Sequence, residues 1–165
     1  MIELLVMRHA KSDWTVGETD FNRPLNDRGV RAADKMASWL VDNDLVPDQI
    51  VSSPAVRARS TAMAVVYGCG VDRRFIEFVD ELYLADAFTW LQVLAQQTAD
   101  RVLVCGHNPG LDDLVDHLAA VPAELSASGK LMTTAAIAHF QFDSGWSDLG
   151  QGAGELVALV RPREI

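Results

Sequence analysis

The sequence predicts an α/β domain, a three-layer α/β/α arrangement with a mostly parallel central sheet, and three observations carry that expectation. Short apolar, strand-like runs alternate with segments of helical hydrophobic spacing along nearly the whole chain. Polar turns, several of them with glycine or proline, follow the strand-like runs directly. At 165 residues, 49% hydrophobic and 22% charged, the composition is that of one globular domain spanning 1–165, and it excludes disorder and collagen-like repeats.

Ile2 to Met7 reads as a strand, apolar except for Glu3, and polar and basic residues follow it. Asn26 or Asp27 caps a helix whose Val30, Ala33, Ala37, Leu40 and Val41 fall at helical spacing, and the helix stops before Pro47. Gln49 to Ser52 is a second short strand. Ser53 as N-cap and Pro54 at the first helical position then open a helix that runs to about Val66 and ends at Gly68. Phe75 to Val79 alternates weakly as a strand, and Ala87 to Ala95 carries Trp90, Leu91 and Leu94 as a helix. Arg101 to Cys105 is a buried-type strand followed at once by GHNPG, after which Leu111, Leu114, Val115 and Leu118 resume helical spacing. Ile137 to Phe142 and Leu156 to Val160 close the chain as strands, separated by the turn-rich DSGWSDLGQGAG. The longest stretch without a predicted element runs from about Ala10 to Pro24.

The formal net charge of −9 argues against a nucleic-acid surface or an anionic-membrane binder. That charge is uneven: residues 1–60 hold eight basic and nine acidic side chains, so an anion site belongs in the first third. Cys69 and Cys105 have no close pairing motif and read as small buried side chains in a reducing, cytoplasmic setting. A metal or redox site built from Cys105 and His107 lacks further ligands at zinc spacing. The N-terminal apolar stretch is too short for a signal peptide, and no later stretch approaches a membrane span.

In open α/β sheets, ligands bind beyond the carboxyl ends of the strands. Arg8-His9, Ser53 to Arg57 and Gly106 to Gly110 all follow predicted strands, so the fold brings them to one edge. A histidine there can act as a nucleophile if a neighbour fixes its tautomer, and a guanidinium can grip phosphate oxygens with two hydrogen bonds. Arg57 falls in the first turn of its helix, where the dipole favours an anion. His107 lies between a strand and a helix, flanked by Gly106 and Gly110, whereas His117 and His139 fall inside elements and read as structural. Arg59 points to another side of its helix and reads as a surface charge.

LVMRHA at the first strand resembles the arginine-histidine signature of the histidine phosphatase superfamily. SSPAVRARST and GHNPG resemble its second and third motifs, in the right order. The short length, NRPLNDRG and MTTAAIAHF are most similar to the phosphohistidine phosphatases of the SixA type. The resemblance covers Ile2 to about Val160 and implies a phosphoglycerate mutase-like fold without metal or cofactor. It makes His9 the phosphorylated nucleophile, with Arg8, Arg57 and His107 around the phosphoryl group, roles that suit a reaction asking mainly for positioning and positive charge.

Lys11 and Ser12 lie close enough to reach phosphate, though a short polar loop explains them equally well. Arg23 resembles the arginine of the SixA-type segment and either contacts substrate or pairs with Asp20 or Asp27. Thr133 and Thr134 read as β-favouring residues or as substrate contacts. For the general acid, VDELYLAD offers Asp80, Glu81 and Asp86; Glu81 resembles the family's acid after the strand. A phosphorylated imidazole is protonated on its own ring and leaves readily, so an indistinct acid favours phosphohistidine over alkyl phosphate esters. With no large insertion to enclose a metabolite, the cleft reads as open and suited to a phosphorylated side chain of another protein. The expected activity is therefore a cytoplasmic phosphohistidine phosphatase. A small phosphate ester as substrate of a phosphomonoesterase or phosphomutase, and a non-catalytic phosphoprotein-binding module, are the alternatives. Trp14 and Trp146, both in loop-like contexts, either line the cleft or cover core.

Overall fold

The first strand, β1 (Ile2–Arg8), has four central residues that are all buried, and because successive strand side chains point to opposite faces they feed two separate cores. Leu4 and Val6 join a cluster with Trp90, Leu94, Leu111 and Leu114, whereas Leu5 and Met7 pack with Ala33, Met36, Leu40 and Val65. The same division recurs at Val102 and Val104 against Leu103 and Cys105. A sheet apolar on both faces requires helices on both, and the computed structural model, which describes residues 1–165, has them.

Helices α1 (Asp27–Asp42) and α2 (Val56–Cys69) cover one face; α3 (Ala87–Leu94) and α4 (Gly110–Leu118) cover the other. With β2 (Gln49–Ser52), β3 (Ile76–Phe78), β4 (Arg101–Gly106), β5 (Ile137–Phe142) and β6 (Glu155–Val160), the sheet order is β3-β2-β4-β1-β5-β6. The β3-β2, β2-β4 and β4-β1 pairs are parallel; β1-β5 and β5-β6 are antiparallel. This is the three-layer, mostly parallel α/β/α architecture expected of the sequence. No helix is long and apolar enough to cross a membrane.

Most elements fall within a residue or two of their expected ends, and β2 and β5 match them. The start of α2 does not. Ser53 and Pro54 precede the helix, and Ala55, in extended conformation, stands at the N-cap without a side-chain cap. Ser53 instead continues the strand ladder, its N–H donating to the Cys105 carbonyl at 3.0 Å, and the first helical N–H, that of Val56, donates to the Phe21 carbonyl at 3.0 Å. The helix also runs past Gly68 to Cys69 and ends on Gly70, whose φ of 69° is left-handed. Residues 119–136 form a second irregular stretch, longer than the Ala10 to Pro24 segment expected to be the longest. Buried Arg161 anchors it, donating to the carbonyls of Leu131 at 3.0 Å and Glu124 at 2.6 Å.

Candidate active site

Arg8 closes β1 opposite Gly106 of β4, and Ser52 closes β2 opposite Cys105, so three adjacent strands release His9, His107 and Ser53 at one edge. The N–H of His9 donates to the Gly106 carbonyl at 3.0 Å, extending the ladder one step past β1. At the next turn the chain presses against α1: a Cβ on Gly29 would lie 2.1 Å from the Lys11 carbonyl oxygen, so only glycine permits the approach.

His9 is 8% exposed, and its Nδ1 lies 2.8 Å from the Ala10 carbonyl. A carbonyl only accepts, so Nδ1 carries the proton and Nε2 keeps its lone pair. Burial lowers the His9 pKa to about 3, against the Ala10 hydrogen bond and with help from His107, Arg8 and Arg57, so the ring is neutral at neutral pH. The Ala10 N–H donates to Thr61 Oγ1 at 3.0 Å, and that hydroxyl donates to the Arg57 carbonyl at 2.7 Å. Helix α2 thus holds both the backbone that orients His9 and the arginine beside it.

The ring of His107 lies 5.3 Å from that of His9, centroid to centroid, and its Nε2 is 2.7 Å from Ser53 Oγ. Tyr83 presents its ring edge-on to His107 at 5.6 Å. Burial, then the positive charge of Arg57, lowers the His107 pKa to about 4, with Asp20 opposing.

Three arginines are held by their terminal nitrogens. Arg8 Nη1 donates to the Met132 carbonyl at 3.0 Å. Arg57 Nη1 donates to the Asp20 carbonyl at 2.6 Å and Nη2 to Asp20 Oδ2 at 3.0 Å. Arg23 Nη2 donates to Asp20 Oδ1 at 2.8 Å, and its Nη1 to the Ser12 hydroxyl. In each the Nε is buried with no partner in the protein, as is Nδ1 of His107; the remaining atom of this kind is Nε1 of Trp90. Unpartnered buried nitrogens are costly, and the gathering of all but the Trp90 one on these four side chains suits an anion rich in acceptor oxygens. Arg57 is also the second residue of α2, where the helix dipole favours that anion. Burial lowers the Arg8 pKa, opposed by Asp112, but a guanidinium stays charged.

The structure thus brings together Arg8, His9, Ser12, Arg23, Arg57 and His107. Arg23 pairs with Asp20, not Asp27, and its guanidinium lies 3.5 Å over the exposed Trp14 ring. Lys11 is exposed, and its ammonium makes no hydrogen bond or ion pair. Glu81 is exposed on a 3₁₀ turn, Asp80–Leu82, and makes no hydrogen bond or ion pair with the residues above. Asp86 caps α3, accepting from the Thr89 N–H at 2.9 Å. Arg59 lies 4.1 Å over the Phe78 ring, and His139 pairs with Glu3 at 2.6 Å, far from the strand ends that carry the site. Trp146 is buried and donates to the Ala99 carbonyl at 2.7 Å, so it covers core. Burial raises Cys69 to about 11 and Cys105 to about 12, in keeping with packing roles for both thiols.

Sequence reasoning missed Asp20 as a partner of Arg57, Ser53 as a partner of His107, and the contacts of Tyr83. The sequence offers Asp20 as a partner of Arg23, but nothing in its spacing links Asp20 to Arg57.

Residues 4–87 match the histidine phosphatase superfamily (branch 1). An uncharacterised protein of Mycobacterium tuberculosis is 32% identical over 164 residues, covering 95% of this chain and 100% of that one. A protein assigned as the phosphohistidine phosphatase SixA of Agrobacterium tumefaciens has a similar structure, with TM-score 0.78, 29% identity and 98% coverage of both chains. The protein histidine phosphatase SixA complexed with tungstate is likewise similar, with TM-score 0.79, 26% identity and 99% coverage of both. With the arginine-histidine pair, Arg57 and His107 gathered at one sheet edge and these likenesses spanning nearly the whole chain, the protein belongs to the histidine phosphatase superfamily, in its SixA-type group.

Proposed function

We propose that this chain is a metal-independent phosphatase that removes phosphate from phosphohistidine in a partner protein. The observation that carries the reading is the Ala10 carbonyl on Nδ1 of His9, which leaves Nε2 free as a neutral nucleophile among cationic side chains. In the first step Nε2 attacks phosphorus, the N–P bond of the substrate breaks, and the departing imidazole takes a proton from solvent. Water then attacks the phosphorus on His9; the Nε2–P bond breaks and inorganic phosphate is released. Arg8, Arg57 and Arg23, with His107, offset charge on the equatorial oxygens in both steps. Lys11, exposed beside the loop, and Ser12 complete the proposed substrate-binding set. Glu81 is the proposed proton donor where the leaving group is an ester oxygen.

A protein substrate is supported by the SixA likenesses, one of them to a protein histidine phosphatase.

The test is an acid-free quench after mixing with a protein phosphorylated on histidine, reading phosphate on this chain by mass spectrometry alongside free phosphate. Phosphate on a His9 peptide, with release abolished in His9→Ala, is the expected result. Turnover of small phosphate esters with none of the phosphoprotein would replace the reading with a small-molecule phosphatase, and a phosphorylated product in place of free phosphate would make it a mutase. Binding of the phosphoprotein with neither trapping nor release would leave a binding module.

A further inference from the structure

We infer that Asp20 is a positioning residue of the oxyanion site, holding the Arg57 and Arg23 guanidiniums by their Nη ends so that their Nε edges are presented to the phosphoryl group. The inference rests on the reading of this site as a phosphate pocket. A guanidinium has three hydrogen-bonding edges; the Asp20 carboxylate takes one terminal nitrogen of Arg57 and one of Arg23, and the Asp20 main-chain carbonyl takes the other of Arg57. The edge that remains on each arginine includes the buried, unpartnered Nε. A free arginine samples many rotamers, and freezing two of them before substrate arrives removes that cost from binding.

Asp20 also connects the cationic side of the site to its imidazole side. The Tyr83 hydroxyl donates to Asp20 Oδ2, while the Tyr83 ring packs against His107 and, at 5.0 Å, against Phe21. One carboxylate thereby joins the 9–26 loop, α2 and the turn after β3. It stays ionised well below the usual carboxylate range, chiefly through the Tyr83 and Arg23 hydrogen bonds. Asp20 is not an alternative to Arg23 contacting substrate, because the pair uses only part of the fork.

Electrostatics alone predicts the opposite result. A half-exposed carboxylate beside an anion site repels the anion or competes with it, so its removal strengthens oxyanion binding. If Asp20 positions the arginines, its removal weakens binding. The experiment is titration calorimetry of tungstate into the wild type, Asp20→Ala, Asp20→Asn and Glu18→Gln, with steady-state hydrolysis of phosphoimidazole. We expect Asp20→Ala to weaken tungstate roughly tenfold or more and to lower kcat as well as raise KM. Asp20→Asn, which keeps one acceptor oxygen, falls between. Glu18→Gln, which removes an exposed charge without a partner, stays at the wild-type value. Thermal unfolding confirms that the variants fold; should Asp20→Ala fail to, Asp20→Asn and Tyr83→Phe carry the same prediction in weaker form. Unchanged or tighter tungstate binding in the Asp20 variants overturns the inference and leaves the phosphate pocket standing. A wild type that binds no tungstate and hydrolyses no phosphoimidazole overturns the pocket, and this inference with it.

Discussion

Ser53 Oγ sits 2.7 Å from Nε2 of His107, across the gap between the ends of β2 and β4. The hydroxyl also accepts from the Ala55 N–H at 3.3 Å, so it serves the turn before α2 while it fixes an imidazole more than fifty residues away. Ser53→Ala leaves a buried ring nitrogen without a partner, a cost of about 1–3 kcal/mol. We expect kcat for phosphoimidazole to fall roughly tenfold, because His107 loses its orientation. Equal kcat in the two proteins would mean that packing alone holds the ring.

Acid should destabilise the protein in a window set by its two site histidines. Their folded pKa values, about 3 for His9 and about 4 for His107, lie below the ordinary histidine value. Between those values and about pH 6.5 the unfolded chain binds protons that the native one refuses, so stability falls as pH drops through that range. The slope is at most roughly 1.4 kcal/mol per pH unit for each ring. Asp20, also lowered, loses its contribution only at lower pH, as its carboxylate protonates. Urea unfolding from pH 7.5 to 4.5 checks this, and a flat midpoint would contradict the buried neutral state. The same shift predicts no loss of kcat/KM from His9 protonation above pH 5.

Glu81 separates leaving groups. If it donates the proton to an ester oxygen, Glu81→Gln lowers hydrolysis of an alkyl phosphate by ~10²–10⁴-fold and leaves phosphoimidazole nearly untouched. An equal, small effect on both substrates would show that this exposed carboxylate lies outside the chemistry, and it would direct attention to Asp80.

Trp14 and Trp146 should respond oppositely to truncation. Trp146→Ala empties a buried position and breaks the bond to Ala99, with an expected loss of about 3–5 kcal/mol. Trp14 is 74% exposed, so Trp14→Ala should cost within about 0.5 kcal/mol of stability. Its contact with the Arg23 guanidinium gives it a different readout, a higher KM at unchanged melting temperature. Denaturation and kinetics on the same two variants distinguish the roles.

The strands and helices were legible because β1, β4 and β5 are dense apolar runs and α1 and α4 keep an apolar stripe at helical spacing. So was the convergence of Arg8, His9, Arg57 and His107, since each lies at or just beyond the carboxyl end of a parallel strand. The start of α2 was misread because Ser-Pro is a strong local signal for a helix start, while the competing partner of Ser53 is distant in sequence. Asp20 carries no local signal for Arg57, since it lies in the irregular 9–26 loop and is separated from Arg57 by α1 and β2. Tyr83 stands beside three acids in VDELYLAD with no motif to mark it; its hydroxyl matters only once the 9–26 loop has folded over it.

The sheet order has a kinetic meaning. Strand β4 lies between β1 and β2, which are therefore not hydrogen-bonded to each other, and the Arg8-His9 pair meets Arg57 only across a strand completed at Gly106. During synthesis from the N-terminus, a nascent chain that ends before β4 has β1 with no edge shared with the β2–β3 pair, and half a site. Phosphate affinity therefore reports late closure of the sheet interior, after long-range pairing, rather than early local structure. Gain of oxyanion binding as successive C-terminal lengths are released would time the insertion of that one strand.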